Sequence, residues 1–129
     1  NYNKTRQDYV KTFKNFSRHL NKGGLVIGDL FSKDMFDPKG KFGYDLYEKG
    51  DLHVGRMFCT KLEGSTGLFY FTHMIKDGKK VLMDSGMDKM GILSLEELKL
   101  IAMKEGLMPL ALEPINNLFG RSFMVFRKE

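Results

Sequence analysis

Apolar residues in this chain recur first at helical spacing and then in an unbroken run. Tyr9, Val10, Phe13, Phe16 and Leu20 form a single stripe, because positions three and four apart share one face of a helix. Thr5 followed by Asp8 predicts the helix start as a capping box, with Asp in place of Glu. Asn21-Lys22-Gly23-Gly24 ends the helix, and Leu25-Val26-Ile27 opens a strand over residues 25–30. A continuous apolar run of this kind predicts burial on both faces, as in a parallel sheet flanked by helices. The strand closes on Gly28-Asp29-Leu30-Phe31, at the carboxyl end where open α/β sheets hold their ligands. A helix cap followed by a core strand accounts for both glycines as well.

Residues 32–40 are polar and rich in turn formers, broken at Asp37-Pro38. Phe31, Met35 and Phe36 sit in or beside this segment. Three large apolar residues so close together line a pocket or pack beneath one. Over residues 42–90 the period falls to two. Residues 52–60 alternate, with Val54 and Phe58 on one side and His53 and Met57 on the other. Residues 68–75 are aromatic and β-branched, and Asp77-Gly78 marks a tight hairpin whose return strand is 81–83. The helical period then resumes. Ser94 and Glu97 form a second capping box, Leu95, Leu98, Ile101 and Ala102 give the buried face, and Gly106 is the stop. Residues 107–112 make a strand that Pro109 confines to an edge or a bulge. Asn116-Asn117 turns the chain into a closing strand at 122–126.

With 129 residues there is room for one domain, and 42% hydrophobic against 29% charged residues is a globular balance. No apolar run is long enough to span a membrane, and the polar first residues give no secretory leader. A single cysteine, Cys59, excludes an internal disulfide and suits a reducing, cytoplasmic setting. A net charge of +5 raises the question of nucleic acid. The basic residues are scattered, however, with small groups only near 39–41 and 76–80 among Gly and Asp. That is the pattern of solvated turns, so no dedicated nucleic-acid surface is expected. His19, His53 and His73 lack metal-ligand spacing, and nothing orients a base for Cys59 as a nucleophile.

The segment His19-Leu20-Asn21-Lys22-Gly23-Gly24-Leu25-Val26-Ile27 resembles the helix and fifth strand of class I S-adenosylmethionine-dependent methyltransferases. Ser94-Leu95-Glu96-Glu97-Leu98 through Gly106-Leu107 resembles that family's last helix, and 120–128 its final strand. The stretch between is similar to the branch that methylates amines on small molecules, sugars included. The resemblance implies an α/β fold. It would be the C-terminal half of a Rossmann-like sheet (helix, central strand, helix, closing antiparallel pair) with an antiparallel meander inserted at 42–90 as a substrate lid. It implies S-adenosyl-L-methionine as cofactor and a small-molecule acceptor. It also marks a gap, because no GxGxG turn follows a strand here and Gly23-Gly24 follows a helix. Three βα units, roughly 100 residues, are expected upstream. The chain is thus read as a partial domain that supplies the acceptor side.

Candidate residues follow from that placement. Tyr2 matches the loop position where the family often sets His or Tyr near the acceptor, and equally anchors the helix start as an aromatic. Asp29, at the strand mouth, orients or deprotonates an amine, or else caps the next turn. Phe31 and Phe36 wall the acceptor, stack on adenine, or simply fill the core. Arg56, Lys89 and Arg121 are the substrate-side cations. Arg121, in Phe119-Gly120-Arg121-Ser122, resembles a turn of the sugar-methylating branch that meets nucleotide phosphates, though an exposed turn arginine explains it too. The meander is expected to cover the carboxyl end of strand 25–30. A non-catalytic subunit that completes a partner's sheet through an exposed edge is the competing reading. Either way the raw edge implies association, with a second copy or with the missing N-terminal half.

Overall fold

Helix α1 spans Arg6–His19. The Thr5 hydroxyl accepts from the Asp8 N–H while the Asp8 carboxylate accepts from the Thr5 N–H at 2.9 Å. Two otherwise orphaned donors are satisfied in this way. The Thr5 hydroxyl also donates to the Asp8 carboxylate at 2.9 Å, and this bond first, with the backbone N–H of Thr5 and of Lys4 after it, holds the Asp8 carboxyl below its ordinary range. Strand β1 (Leu25–Phe31) follows, and helix α2 (Leu95–Lys104) repeats the device with Ser94 and Glu97. The last two strands described in the chain are β6 (Leu107–Pro114) and β7 (Arg121–Lys128). The computed structural model describes residues 3–33, 36, 37, 39–114 and 121–129. Tyr2, Met35 and the turn at 116–120 lie outside the described residues.

The chain divides into two compact units, Asn1–Phe36 with Met90–Glu129, and Asp37–Lys89. The expectation from sequence places the meander in one domain with the rest. The order of elements is helix, strand, meander, helix, strand pair, and the fold is mixed α/β with antiparallel sheets.

In the first unit the sheet order is β1-β7-β6, antiparallel throughout. β6 is an edge strand with its register shift between Pro109 and Ala111, where the missing proline N–H leads one to look. Both helices contribute to a core on the same face as Val26, Leu30, Met124 and Phe126. Phe13 meets Phe126 edge to face, their centroids 5.4 Å apart, a favoured aromatic geometry. Lys128 donates to the Ser17 hydroxyl, and the backbone of Gly23 and Gly24 pairs with Lys128 at 2.8 Å in both directions.

One sequence expectation is corrected here. β1 is not buried on both faces. Val26 and Leu30 are covered, but Ile27 is 63% exposed and Leu25 also faces out. Because the two helices share one face, a two-residue period governs burial despite the unbroken apolar run. Nor is β1 central among the described strands; it stands at one end of the order.

The second unit is a four-stranded antiparallel sheet, β2 (Lys41–Lys49), β3 (Leu52–Glu63), β4 (Thr66–Asp77) and β5 (Lys80–Gly91), the last running two residues into the first unit. β2 is absent from the sequence reading. Its hairpins share one construction. Gly50-Asp51, Gly64-Ser65 and Gly78-Lys79 each link two strands, with glycine first and at positive φ. A leading glycine at positive φ is what a type II′ turn requires, and its twist suits the strands it joins. Across the sheet, the Phe58 ring lies over Gly43, where a Cβ would fall 2.2 Å from it.

Core location sets a mutational contrast within β1 and β7. Phe126→Ala, at a fully buried position, should cost about 3–5 kcal/mol of unfolding free energy. Ile27→Ala, on the outer face, should change it by no more than about 1 kcal/mol. Urea denaturation of the two variants measures this, and equal losses would contradict a one-sided core.

Candidate functional site

The carboxyl end of β1 is held by backbone, not by side-chain packing alone. Ser32 is fully buried and forms a parallel bridge with Leu93. The Lys33 N–H donates to the Leu93 carbonyl at 2.9 Å, and the Phe36 N–H to the Lys33 carbonyl at 3.1 Å. From the other side, the Gly91 N–H donates to the Asn3 carbonyl at 2.7 Å. The Tyr9 hydroxyl donates to the Gly91 carbonyl at 2.8 Å in a buried bond. A Cβ at Gly91 would lie 2.5 Å from the Lys4 carbonyl oxygen, so only glycine lets these backbones meet.

A cavity of about 600 Å³ opens in the same unit between α1 and β1. Phe13, Phe16, Leu25 and Ile27 are among its apolar lining, while Asn3, Thr12, His19 and Asp29 are among its polar residues. The Thr12 hydroxyl donates to the Asn3 side-chain oxygen at 3.1 Å. His19 Nδ1 lies 2.8 Å from the Asn15 carbonyl, which makes it the protonated nitrogen of the ring. This is a container with apolar walls and a few polar groups, the usual composition of a small-molecule site.

Asp29 is exposed on β1 and stands opposite Phe123 of β7. Phe31, half-buried, stands opposite the backbone of Arg121. Three of the sequence candidates are therefore neighbours at one end of the β1–β7 pair. Asp29 and Phe31 lie on the same outer face as Ile27, since alternate positions of a strand share a face. Phe36 is buried, as core packing requires.

Arg56 and Lys89 belong to the second unit. Arg56 is half-exposed and paired across the strands with Asp45, its Nε donating to Asp45 Oδ2 at 3.0 Å and its Nη2 to the same oxygen. Its guanidinium also lies 5.8 Å from the Phe58 ring centroid, within cation–π range. With its charge answered by Asp45, Arg56 is a weaker anion ligand than its sequence context implies. Lys89 is exposed at the end of β5.

Sequence reasoning passed over Asn3 and Thr12, and weighed His19 only as a metal ligand. Thr12 stands three residues after Tyr9 and His19 three after Phe16, so helical spacing alone puts each beside the apolar stripe. Of the cofactor's main motif the structure offers no substitute at Gly23-Gly24. Their backbone is spent on β7, and a Cβ on Gly24 would lie 2.9 Å from the Asn21 carbonyl. These glycines make a helix stop and a sheet corner, so they do not fit a cofactor cradle.

The fold is shared with methyltransferases. Over 99% of its length the chain superposes on DesVI of Streptomyces venezuelae, with a TM-score of 0.86 and 22% identity. It covers 97% of itself on the sugar N-methyltransferase KedS8 from Streptoalloteichus, with a TM-score of 0.75 and 18% identity. For CalS10, an amino pentose methyltransferase from Micromonospora echinaspora with S-adenosylmethionine bound, the coverage is 96%, the TM-score 0.79 and the identity 18%. The chain spans about half the length of these structures, 54%, 50% and 52% respectively. No family model matches the sequence, and no curated protein matches it.

The clamp on Gly91 is directly testable. Tyr9→Phe leaves the buried Gly91 carbonyl without that donor and should cost about 1–3 kcal/mol. Gly91→Ala should cost at least about 1 kcal/mol, because backbone must move to admit the methyl. Denaturant titration reads both, and wild-type midpoints would remove the clamp from the account.

Proposed function

We propose that this chain is the C-terminal, acceptor-side half of a Rossmann-like methyltransferase that transfers a methyl group to an amine on a small molecule, a sugar in particular. The observation that carries this reading is the superposition of nearly the whole chain on about half of CalS10 and KedS8. The meeting of Asp29, Phe31 and the Arg121 backbone at one end of β1 and β7 supports it.

S-adenosylmethionine, the methyl source in this reading, is held by the other half of the protein. The described residues contribute to the acceptor. An alkylamine is protonated at neutral pH, and only its free base has a lone pair to attack with. An exposed carboxylate at the strand end attracts the ammonium form, takes its proton and orients what remains. Asp29 is that carboxylate. Phe31 beside it gives an apolar surface for a sugar ring, and Arg121 supplies a cation for a phosphate on the acceptor. Alignment of acceptor and methyl donor is the larger part of the rate gain.

The edge of β1 away from β7 has no strand partner among the described residues and borders the cavity. In the proposed arrangement the remaining half of the sheet continues there, satisfying the open backbone groups. The same feature suits a non-catalytic subunit that completes a partner's sheet, which is the second reading.

Kinetics of the full-length protein separate the two. Transfer of labelled methyl from S-adenosylmethionine to an amino-sugar nucleotide is expected. Asp29→Asn should lower kcat about a hundredfold, the scale of general-base contributions. Arg121→Ala should raise the acceptor KM about tenfold and leave cofactor affinity nearly unchanged, since phosphate binding is uniform binding. No transfer to any amine would favour the subunit. Unchanged acceptor kinetics in Arg121→Ala would exclude the phosphorylated acceptor and leave a smaller or neutral amine.

A further inference from the structure

Alternate residues of β7 point to opposite faces of the three-stranded sheet. Met124 and Phe126 are buried against the helices, so Phe123 and Val125 stand on the outer face. There the Phe123 ring is left 40% exposed. Its partner across the strands is Asp29, which faces the same way. Side chains directly opposite in an antiparallel pair have Cβ atoms about 4.5–5.5 Å apart. Phe31 lies two positions along β1 on the same face, diagonal to Phe123 and within the reach of large side chains across a sheet. Ile27 and Val125, paired with each other, form the next row. Asp29 thus stands among apolar neighbours, with one aromatic residue across from it and another beside it. A phenyl ring offers a carboxylate no hydrogen bond, and its negative face does not attract one. Both groups attract cations, the carboxylate by its charge and the ring by its π system.

We propose, on the basis of the methyl-transfer reading above, that Phe123 is a specificity-determining residue of the acceptor site. Its ring and the Asp29 carboxylate together admit an aliphatic amine in its charged form in preference to a neutral acceptor. An ammonium seated on the Asp29 carboxylate comes within about 6 Å of the ring opposite, the range of a cation–π contact. A hydroxyl or an amide nitrogen is neutral and gains nothing comparable from the ring face. The charge on the acceptor nitrogen also suits the course of the reaction. The nitrogen arrives positive and gives its proton to the Asp29 carboxylate. Its lone pair then forms the bond to the methyl carbon as the carbon–sulfur bond breaks, the electrons of that bond staying on sulfur. The nitrogen is positive again in the product, so the ring favours the bound ammonium and the charge that develops during transfer.

Kinetics and inhibition of the full-length protein test the proposal. Phe123→Leu keeps an apolar side chain and removes the ring. With an amino-sugar nucleotide as acceptor it should lower kcat/KM about tenfold, the scale of one partly desolvated cation–π contact. Phe123→Tyr keeps a ring face and should stay within about twofold of wild type. The same sugar nucleotide with a hydroxyl in place of the amine should inhibit wild type and Phe123→Leu equally. Equal weakening of the amine and hydroxyl compounds would reduce Phe123 to an apolar wall and overturn the proposal, as would an unchanged kcat/KM. A wild type that methylates no amine would refute methyl transfer itself, and binding then decides the subsite. Tetramethylammonium chloride, titrated into protein carrying isotope-labelled phenylalanine, should shift the Phe123 ring resonance in a saturable way. That resonance is assigned by its loss in Phe123→Leu, and Asp29→Asn should weaken the response. A Phe123 ring that shows no saturable shift would overturn the proposal.

Discussion

The first unit depends on how the residues from Gly91 to Leu93 are gripped. The chain leaves this unit after Phe36 and returns to it at Met90. At that point Asn3 and Tyr9 hold Gly91 from one side, and Lys33 and Ser32 hold Leu93 from the other. Exit and re-entry are thereby joined at the base of a long excursion, where closure is costly in chain entropy. Buried backbone groups explain why the grip is made of hydrogen bonds, since each must find a partner away from water. Ile92, almost wholly buried between the two anchors, adds the apolar part. The same bonds settle where β1 ends, and so where Asp29 and Phe31 stand.

Local chemistry made much of this legible. Thr5 with Asp8 and Ser94 with Glu97 encode both helix starts, because a capping box is a contact between residues three apart and needs no knowledge of the fold. Pro109 announced an edge strand for an equally local reason. The meander was read less well. β2 went unrecognised, although Gly50, Gly64 and Gly78 recur at a fixed interval of 14 residues and each is followed by a polar residue. That interval is one strand plus one two-residue turn. It is the clearest sign in the sequence of successive hairpins of equal length.

β1 shows the opposite failure. Leu25, Val26 and Ile27 are all apolar, and an unbroken apolar run implies two covered faces. Both helices lie on the side of Val26 and Leu30, a tertiary fact that no residue in β1 records. The outer face then carries Leu25 and Ile27 with an apolar surface that nothing described covers. Likewise the pairing of Arg56 with Asp45 is invisible in sequence, because Asp45 is eleven residues away and becomes its neighbour only through the β2–β3 register.

Gly23-Gly24 bears most on how work is divided along the chain. Two glycines before an apolar strand have the composition of a phosphate-binding turn, but the composition alone is ambiguous. What separates the alternatives is where the amide donors point. In a cradle they are left open for an anion. Here the Gly23 N–H is taken by the Lys128 carbonyl and the Gly24 N–H by the Asn21 carbonyl. With those donors consumed, the pair serves as the corner that fastens β1 to β7, and its contribution to any acceptor site is indirect. It fixes the register that brings Phe31, seven residues beyond Gly24, opposite Arg121. Under the proposed activity, cofactor chemistry and acceptor placement then belong to different stretches of the protein, and this chain carries the second.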